Sequence, residues 1–304
     1  KQIKMLNKFL DYYSKAKKMQ ELKFQGKSWS FEDVNDDLVW NIPIYDVVNR
    51  RFAAFSSFLE AIHLRDDDPK RNGKYFNLAK KLDSIDFINL CYLFRLCGSG
   101  INYKPKVGDQ DPFGTHGFGN FWIVDRLSKG FIDTKDWIDT IPDKGFCDVK
   151  GYLLPMIKGG LNNYIKNNSI MLLDNLIEFI YKGDQKNIKE VVDYGNKILN
   201  LHGFKRQNFV LTAFAMDMAE YFPRLVSRTS DVYVGSNAKK CLKMIMPGVK
   251  HDKALRTLCE MTGFHSMPYD MEDVACDFIR YINNFQSKEH IEMNKGVVYR
   301  NNIT

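Results

Sequence analysis

The sequence has no long hydrophobic run and no regular spacing of its cysteines. No apolar segment approaches the ~20 residues that a membrane-spanning helix requires, and the basic start KQIKMLNKFLDYYSKAKK lacks the apolar core of a secretory signal. The six cysteines form no CxxC pair and no pairing with histidine, which argues against a zinc ribbon or a disulfide scaffold. We therefore expect a cytoplasmic protein with no membrane partner and with ordinary, part-buried thiols.

Complete nucleotide-binding loops are missing as well. QGKSW at 25–29 contains Gly-Lys-Ser, but Glu21 stands where a phosphate loop requires glycine, and no hydrophobic strand precedes it. THGFGN at 115–120 contains Gly-x-Gly, but Trp122 occupies the place of the last glycine of a dinucleotide fingerprint. The sequence therefore excludes a phosphate-loop kinase and a Rossmann-type enzyme.

Positive charge is concentrated in two segments. The chain carries 44 Lys and Arg against 37 Asp and Glu, a net charge of +7. Residues 1–27 hold eight lysines against Asp11 and Glu21, and residues 239–256 hold six Lys and Arg against Asp252. Two basic patches on a near-neutral body indicate a polyanion partner. For the N-terminal run, a solvated helix face is an equal alternative.

Helical periodicity dominates the remainder, and SDVYVG at 230–235 is the only segment that predicts a strand. We expect an all-α single globular domain, for which two lobes around a cleft are one arrangement. The expected organisation is a basic N-terminal helix over 1–30, a helical catalytic and DNA-binding domain over 31–285, and a C-terminal tail over 286–304. Helices are predicted at 42–65, 76–96, 123–129, 134–140, 147–158, 160–182, 187–201, 206–222, 237–246, 251–262 and 270–284.

The stretch DPFGTHGFGNFW at 111–122 combines three glycines with a histidine, an asparagine and four aromatic residues. Glycine allows a close backbone approach, and His, Asn and rings suit a polar, stacking pocket. We interpret it as a pocket wall. The alternative is an ordered crossing in which His116 and Asn120 cap neighbouring helices.

In VYVGSNAKKCLKMI at 232–245, a turn of Gly235, Ser236 and Asn237 precedes a lysine-rich helix. Unpaired N–H groups and the helix dipole make such a turn a seat for phosphate. The alternative is a plain N-cap by Ser236 or Asn237. The G-x-x-A pattern resembles the hairpin of helix-hairpin-helix DNA-binding proteins, which contact the backbone without reading sequence. The helix carries Lys239, Lys240 and Lys243.

Two sets of acidic residues recur at helical spacing. Asp217 and Glu220 share a face, and Asp273, Asp277 and Arg280 are spaced about one turn apart. Such sets are usually surface ion pairs, and Asp277 with Arg280 is a natural one. Asp217 stands out because apolar residues flank it, so it lies either on a polar face or in a functional, buried position.

Three stretches together resemble the amino acid:DNA transferase family of bacteriophages that hypermodify thymine. They are LFRLCGSGINY with the HGFGN loop, FAMDMAEYFPRLVSRTSDVYVGSNAKKCLKMI, and MEDVACDFIRYI. The second also resembles the helical domain of phage 5-hydroxymethyluracil DNA kinases, and both families are similar to helix-hairpin-helix DNA glycosylases. The resemblance covers residues 40–285 and implies a DNA-glycosylase-like helical bundle. The lysine-rich N-terminal helix lies outside it.

The resemblance implies a reaction on double-stranded DNA that carries pyrophosphorylated 5-hydroxymethyluracil. The amine of a free amino acid, such as glycine, displaces pyrophosphate from the exocyclic methylene group. A flipped base needs stacking rings, the leaving group needs positive charge or N–H groups, and the amine needs a base. The resemblance leaves open whether a divalent metal ion assists the departure of pyrophosphate. For a phage-encoded protein the compartment is the host cytoplasm.

The resemblance also suggests roles for residues of this chain. Tyr103, Phe118 or Trp122 would stack on the flipped base, and Asn120 would read its edge. Asp217 or His116 would accept the proton of the amine. Arg50, Arg51 or Arg95 would hold the amino-acid carboxylate or the pyrophosphate, and Asp277 and Arg280 would lie in the substrate site. The residues that would hold the DNA backbone are Gly235, Ser236, Asn237, Lys239, Lys240 and Lys243.

Two other classes of protein fit the same features. A helix-hairpin-helix DNA glycosylase would use a similar grip, with Asp252, 17 residues after Gly235, as the nearest candidate for its carboxylate. That residue lies in a basic segment whose composition predicts solvent exposure, which weakens this interpretation. A non-catalytic DNA-binding protein would explain the lysines but not the aromatic loop or Asp217.

Overall fold

The computed structural model describes residues 2–24, 84–96, 164, 168–263 and 267–283. These residues form helices and no β-strand, so the all-α prediction is confirmed. The helices predicted at 42–65, 123–129, 134–140 and 147–158 lie outside the described residues. The observed helices are α1 Gln2–Phe24, α2 Ser84–Leu96, α3 Ile170–Tyr181, α4 Ile188–Leu201, α5 Asn208–Tyr221, α6 Ser236–Ile245, α7 His251–Met261 and α8 Pro268–Ile282.

The described helices divide between two compact units. Unit 1 contains α1, α6, α7 and α8, and unit 2 contains α2 to α5. The boundary between the units falls after Ser230. Helix α1, which the sequence assigns to a segment of its own, thus belongs to the same unit as the last three described helices.

Aromatic residues of α1 and α8 form part of the core of unit 1. Phe9 and Tyr12 are fully buried. The Phe9 ring meets the edge of Phe278 at a centroid distance of 5.2 Å, and Tyr12 lies 4.8 Å from Tyr281. Each such ring buries a large apolar area, which is the main stabilising contribution in a core. The lysine-rich helix is therefore anchored by its apolar face.

Helix α5 lies at the centre of unit 2. The sequence predicts an amphipathic stripe, but all the residues from Val210 to Tyr221 except Ala213 are buried. The ring of Tyr92 meets Phe214 edge-on at 5.8 Å, and Phe87 meets Tyr221 in the same way at 5.4 Å. A helix that is buried on all sides is a core element, and its polar residues therefore need partners.

The strand predicted at 230–235 is wrong. Residues 231–235 have no regular secondary structure, and within the described residues the only β-bridge joins Lys186 to Val226. Val232 is nevertheless buried. The period of two in the apolar residues here does not distinguish such a partly buried irregular segment from a strand of a sheet. None of the described helices is long and apolar enough to cross a bilayer.

Candidate functional site

A heavily buried ion pair joins α2 to α5. Arg95 Nε donates to Asp217 Oδ2 at 2.7 Å, and Arg95 Nη2 donates to Asp217 Oδ1 at 2.7 Å. Side-chain exposure is 10% for Arg95 and 1% for Asp217. Two parallel charge-assisted hydrogen bonds fix both side chains in orientation as well as in distance.

This pairing resolves the two alternatives for Asp217. The carboxylate is buried, as the functional alternative requires, but both of its oxygens already bind a guanidinium. The sequence suggests separate roles for the two residues, with Arg95 on an anionic substrate and Asp217 as a base. The geometry instead joins the two side chains in one ion pair, which favours a role in holding α2 against α5.

Cys91 lies on α2, one turn before Arg95, and is fully buried. Burial raises the pKa of its thiol well above the ordinary value, Asp217 raises it further, and Arg95 lowers it. A thiol with a raised pKa stays protonated near neutral pH and is a poor nucleophile. Burial also raises the pKa of Cys241 and of Cys259, the latter to about 12. These three cysteines therefore behave as core residues.

Glu220 has an arginine partner of its own. Arg228 Nη2 donates to Glu220 Oε2 at 3.3 Å, and the glutamate side chain is buried. The spacing of Asp217 and Glu220 on one helical face allows a base or metal role or an ion pair, and the structure gives each carboxylate a separate guanidinium. Arg228 could not be found from the sequence pattern, because it lies beyond the end of α5 and the helical period does not reach it.

A buried polar cluster joins α2, α4 and the start of α5. The hydroxyls of Tyr92 and Tyr164 lie 2.9 Å apart, and the Tyr92 hydroxyl donates to Gln207 Oε1 at 3.2 Å. The backbone N–H of Gln207 donates to Asn196 Oδ1 at 2.7 Å. Burial raises the pKa of Tyr164 to about 12, against the lowering effect of the hydrogen bonds to Tyr92 and Gln207. This phenol therefore stays neutral.

Helix α6 begins at Ser236, with Gly235 as its N-cap residue and no side-chain cap. The N-cap interpretation of Ser236 and Asn237 is therefore wrong. Instead, the N–H of Gly235 donates to Oε1 of Glu272, a residue of α8, at 2.8 Å. Glu272 is 9% exposed. It supplies the carboxylate that a helix N-terminus attracts, and no local sequence signal identifies it because it lies 37 residues away.

The lysines of α6 form one exposed face. Lys239, Lys240 and Lys243 are exposed, and the spacing of three and four places them together. The opposite face is apolar and buried. It consists of Ala238, Cys241, Leu242 and Ile245.

The glycine turn at the start of α6 does not directly follow a helix, as it would in a helix-hairpin-helix motif. Residues 222–235 separate α5 from α6, whereas an αα-hairpin has a connection of about 2–5 residues. The resemblance to a helix-hairpin-helix motif is thus limited to the turn and its second helix. Asp252 lies in the first turn of α7 and is half-buried rather than exposed.

Many of the suggested site residues lie outside the described residues, and their roles stay predictions. On α8, Asp277 is buried, and the side chain of Arg280 lies outside the described atoms. Within the described part of the chain, no group of three or more His, Cys, Asp or Glu is arranged to hold a metal ion. The undescribed residues are Arg50, Arg51, Tyr103, His116, Phe118, Asn120 and Trp122.

Comparison of the chain with protein-family models, with curated proteins and with solved structures finds no match.

Proposed function

We propose that the protein binds duplex DNA through α6 and is an amino acid:DNA transferase. Its substrate would be 5-pyrophosphomethyl-deoxyuridine in DNA, whose pyrophosphate it replaces with an amino acid. The observation that supports the DNA contact is the exposed lysine face of α6, which carries Lys239, Lys240 and Lys243; the N–H of Gly235 at the start of this helix is bound by Glu272 and is not part of the contact. Such a face contacts phosphates independently of base sequence.

The ion pair between α2 and α5 joins two of the stretches on which the proposed family rests. Arg95 lies in LFRLCGSGINY and Asp217 in FAMDMAEYF, two of the stretches on which the resemblance rests. These stretches are 122 residues apart in sequence and meet in one bidentate contact. In the proposed enzyme the pair is a positioning pair, which fixes the end of α2 from which the chain continues toward the aromatic loop.

The proposed reaction is a substitution at the exocyclic methylene carbon. The amine nitrogen forms a bond to that carbon, and the bond from carbon to the pyrophosphate oxygen breaks with its electron pair. The proton released from the amine passes to a base, for which we propose His116 because both oxygens of Asp217 bind Arg95. Positive charge or helix N–H groups would stabilise the departing pyrophosphate.

A single assay distinguishes the classes of function. The protein is incubated with duplex DNA that contains pyrophosphomethyluracil and with a mixture of amino acids, with and without Mg²⁺, and the nucleosides are analysed by mass spectrometry. A new amino-acid adduct supports the transferase. Released free base would instead identify a glycosylase, and unchanged DNA that is still bound would identify a DNA-binding protein.

Two variants locate the reaction within the chain. We expect Asn120→Ala and Trp122→Ala to reduce adduct formation far more than DNA binding, because these residues would contact only the flipped base. Lys240→Gln serves as the matched control, since loss of a phosphate contact weakens binding to all sequences. Full turnover in both loop variants would remove the aromatic loop from the proposed site.

A further inference from the structure

We propose that α1 is part of the DNA-binding surface and forms with α6 one bipartite basic site on unit 1. The part of the chain that resembles the transferase family does not include α1, and the second basic segment lies more than 200 residues further along the chain. In the structure, α1 packs against both α6 and α8 within the same unit. This inference deepens the proposed DNA contact of α6 and rests on it.

The lysines of α1 form a stripe along the helix. Lys4, Lys8, Lys15 and Lys18 are separated by four, seven and three residues, a spacing that places them on one face. Lys4, Lys8 and Lys18 are exposed, while Lys15 pairs with Asp11 at 2.8 Å. At 1.5 Å per residue the stripe is about 21 Å long. One DNA strand presents about six phosphates over that length.

The apolar face of α1 is not available to other partners. Phe9, Tyr12, Tyr13 and Ala16 are buried, and Phe9 and Tyr12 contact rings of α8. A basic amphipathic helix that binds membranes must insert its apolar face between lipids. Because α1 has already buried this face in unit 1, its exposed surface is mainly polar and basic apart from Ile3, which favours a polyanion such as duplex DNA.

The two lysine-bearing helices are close enough together for one duplex to contact both. Packed helices have axes about 8–10 Å apart, and α1 packs directly against α6. The major groove is about 12 Å wide, so phosphates on either side of a groove are within reach of two adjacent lysine-bearing helices. The ammonium of Lys8 lies 5.6 Å from the ring of Tyr281 on α8, which places the stripe beside the rest of unit 1.

The test compares three triple variants in which three exposed lysines become glutamine. The α1 variant is K4Q/K8Q/K18Q, and the α6 variant is K239Q/K240Q/K243Q. The control, K182Q/K197Q/K205Q, removes three exposed lysines from unit 2. The dissociation constant for a 20-base-pair duplex is measured from 50 to 300 mM salt by fluorescence anisotropy, and circular dichroism melting verifies that each variant folds.

We expect the α1 and α6 variants each to weaken binding about tenfold or more at 0.1 M salt. Each should lower the slope of log K against log salt by about 3, since one phosphate contact contributes about 0.9. The control should match the wild type. An α1 variant that behaves like the control, while the α6 variant loses binding, overturns this inference and leaves the proposed function intact.

Two further outcomes also overturn the bipartite site. If the wild-type protein shows no salt-dependent binding to duplex DNA, the proposed function and this inference fail together. If the α1 variant retains DNA binding but loses binding to phosphatidylserine vesicles, the stripe serves an anionic lipid surface instead.

Discussion

At the scale of single residues, the cost of a buried charge depends on whether its partner is present. We expect Asp217→Asn to destabilise the protein by ~3–5 kcal/mol, because it leaves the guanidinium of Arg95 buried without its carboxylate. The double variant Arg95→Met/Asp217→Leu should recover most of this loss, since well-packed apolar residues often replace a buried ion pair without cost. Urea unfolding followed by circular dichroism measures both.

The pair between Arg206 and Asp193 in the same unit provides the control. Its N–O distance is 3.5 Å, and the two side chains are 64% and 53% exposed. Exposed pairs contribute ~0–1 kcal/mol, so Asp193→Asn should change the unfolding midpoint little. Equal losses for Asp193→Asn and Asp217→Asn would contradict a special role for burial at the α2–α5 contact.

At the scale of helices, the N–H of the N-cap residue donates to a glutamate in both α4 and α6, but the glutamate belongs to the same helix in one case and to another helix in the other. Helix α4 has a capping box in which Asn187 accepts from the N–H of Glu190 at 2.9 Å and Glu190 accepts from the N–H of Asn187 at 2.8 Å. In α6 the N–H of the N-cap residue Gly235 is bound by Glu272 of another helix. The local cap stabilises one helix, whereas the distant carboxylate also ties α6 to α8.

We predict different effects when the two caps are removed. Asn187→Ala should cost ~1 kcal/mol, the usual value for an N-cap side chain. Glu272→Ala should cost ~1.5–3 kcal/mol, because a buried hydrogen bond to a charged group is stronger, with Glu272→Gln intermediate. Chemical denaturation measures the free energies of unfolding, and a smaller loss for Glu272→Ala than for Asn187→Ala would contradict the tertiary cap.

Gly195 permits the close packing of α4 in unit 2. A methyl group there would lie 2.9 Å from Cδ2 of Leu211 on α5 and 3.4 Å from Cδ2 of Leu176 on α3. Overpacking costs ~1–3 kcal/mol, against a gain of about 1 kcal/mol in helix propensity. We expect Gly195→Ala to lower the melting temperature and Gly195→Ala/Leu211→Val to restore part of it. A melting temperature that rises in the single variant would show that the Leu211 side chain moves aside at little energetic cost.

The helices could be predicted from the sequence because their signals are local. Periodicity gave α4 at 187–201 and α6 at 237–246, against observed bounds of Ile188–Leu201 and Ser236–Ile245. The partner of each buried charge could not be predicted, since Arg95 and Glu272 reach their partners only through tertiary packing. The segment 230–235 failed for a related reason, because burial and not a sheet explains its apolar residues.

At the scale of the whole chain, the positions of charge and apolar surface are set by which helices share a unit. Both basic segments fall in unit 1, because α1 packs with α6 and α8. The sequence shows two separate lysine-rich runs and leaves the first as either a DNA contact or a solvated face. The aromatic residues of α1 are buried in unit 1 whereas Lys4, Lys8 and Lys18 are exposed, which is the basis for the bipartite site.

The buried thiols and the buried Tyr164 phenol predict that the free energy of unfolding decreases at alkaline pH. Burial raises the pKa of Cys259 and of Tyr164 to about 12 each, and it also raises the pKa of Cys91 and of Cys241. In the unfolded chain the thiols ionise from about pH 9, whereas in the folded protein they stay protonated. The unfolded state then binds fewer protons, so stability falls as pH rises.

We expect the free energy of unfolding to be insensitive to these groups below pH 8 and to fall above pH 9. Each group adds a slope of up to ~1.4 kcal/mol per pH unit. Urea titrations from pH 7 to 11 measure the slope, and Cys259→Ala should make it shallower, whatever the variant costs at pH 7. An unchanged slope in Cys259→Ala would mean that this thiol ionises equally in both states. Because Cys276 is only half-buried, alkylation by iodoacetamide at pH 9 is assigned to individual cysteines by peptide mass spectrometry, and rapid modification of Cys91, Cys241 and Cys259 in the folded protein would contradict their burial.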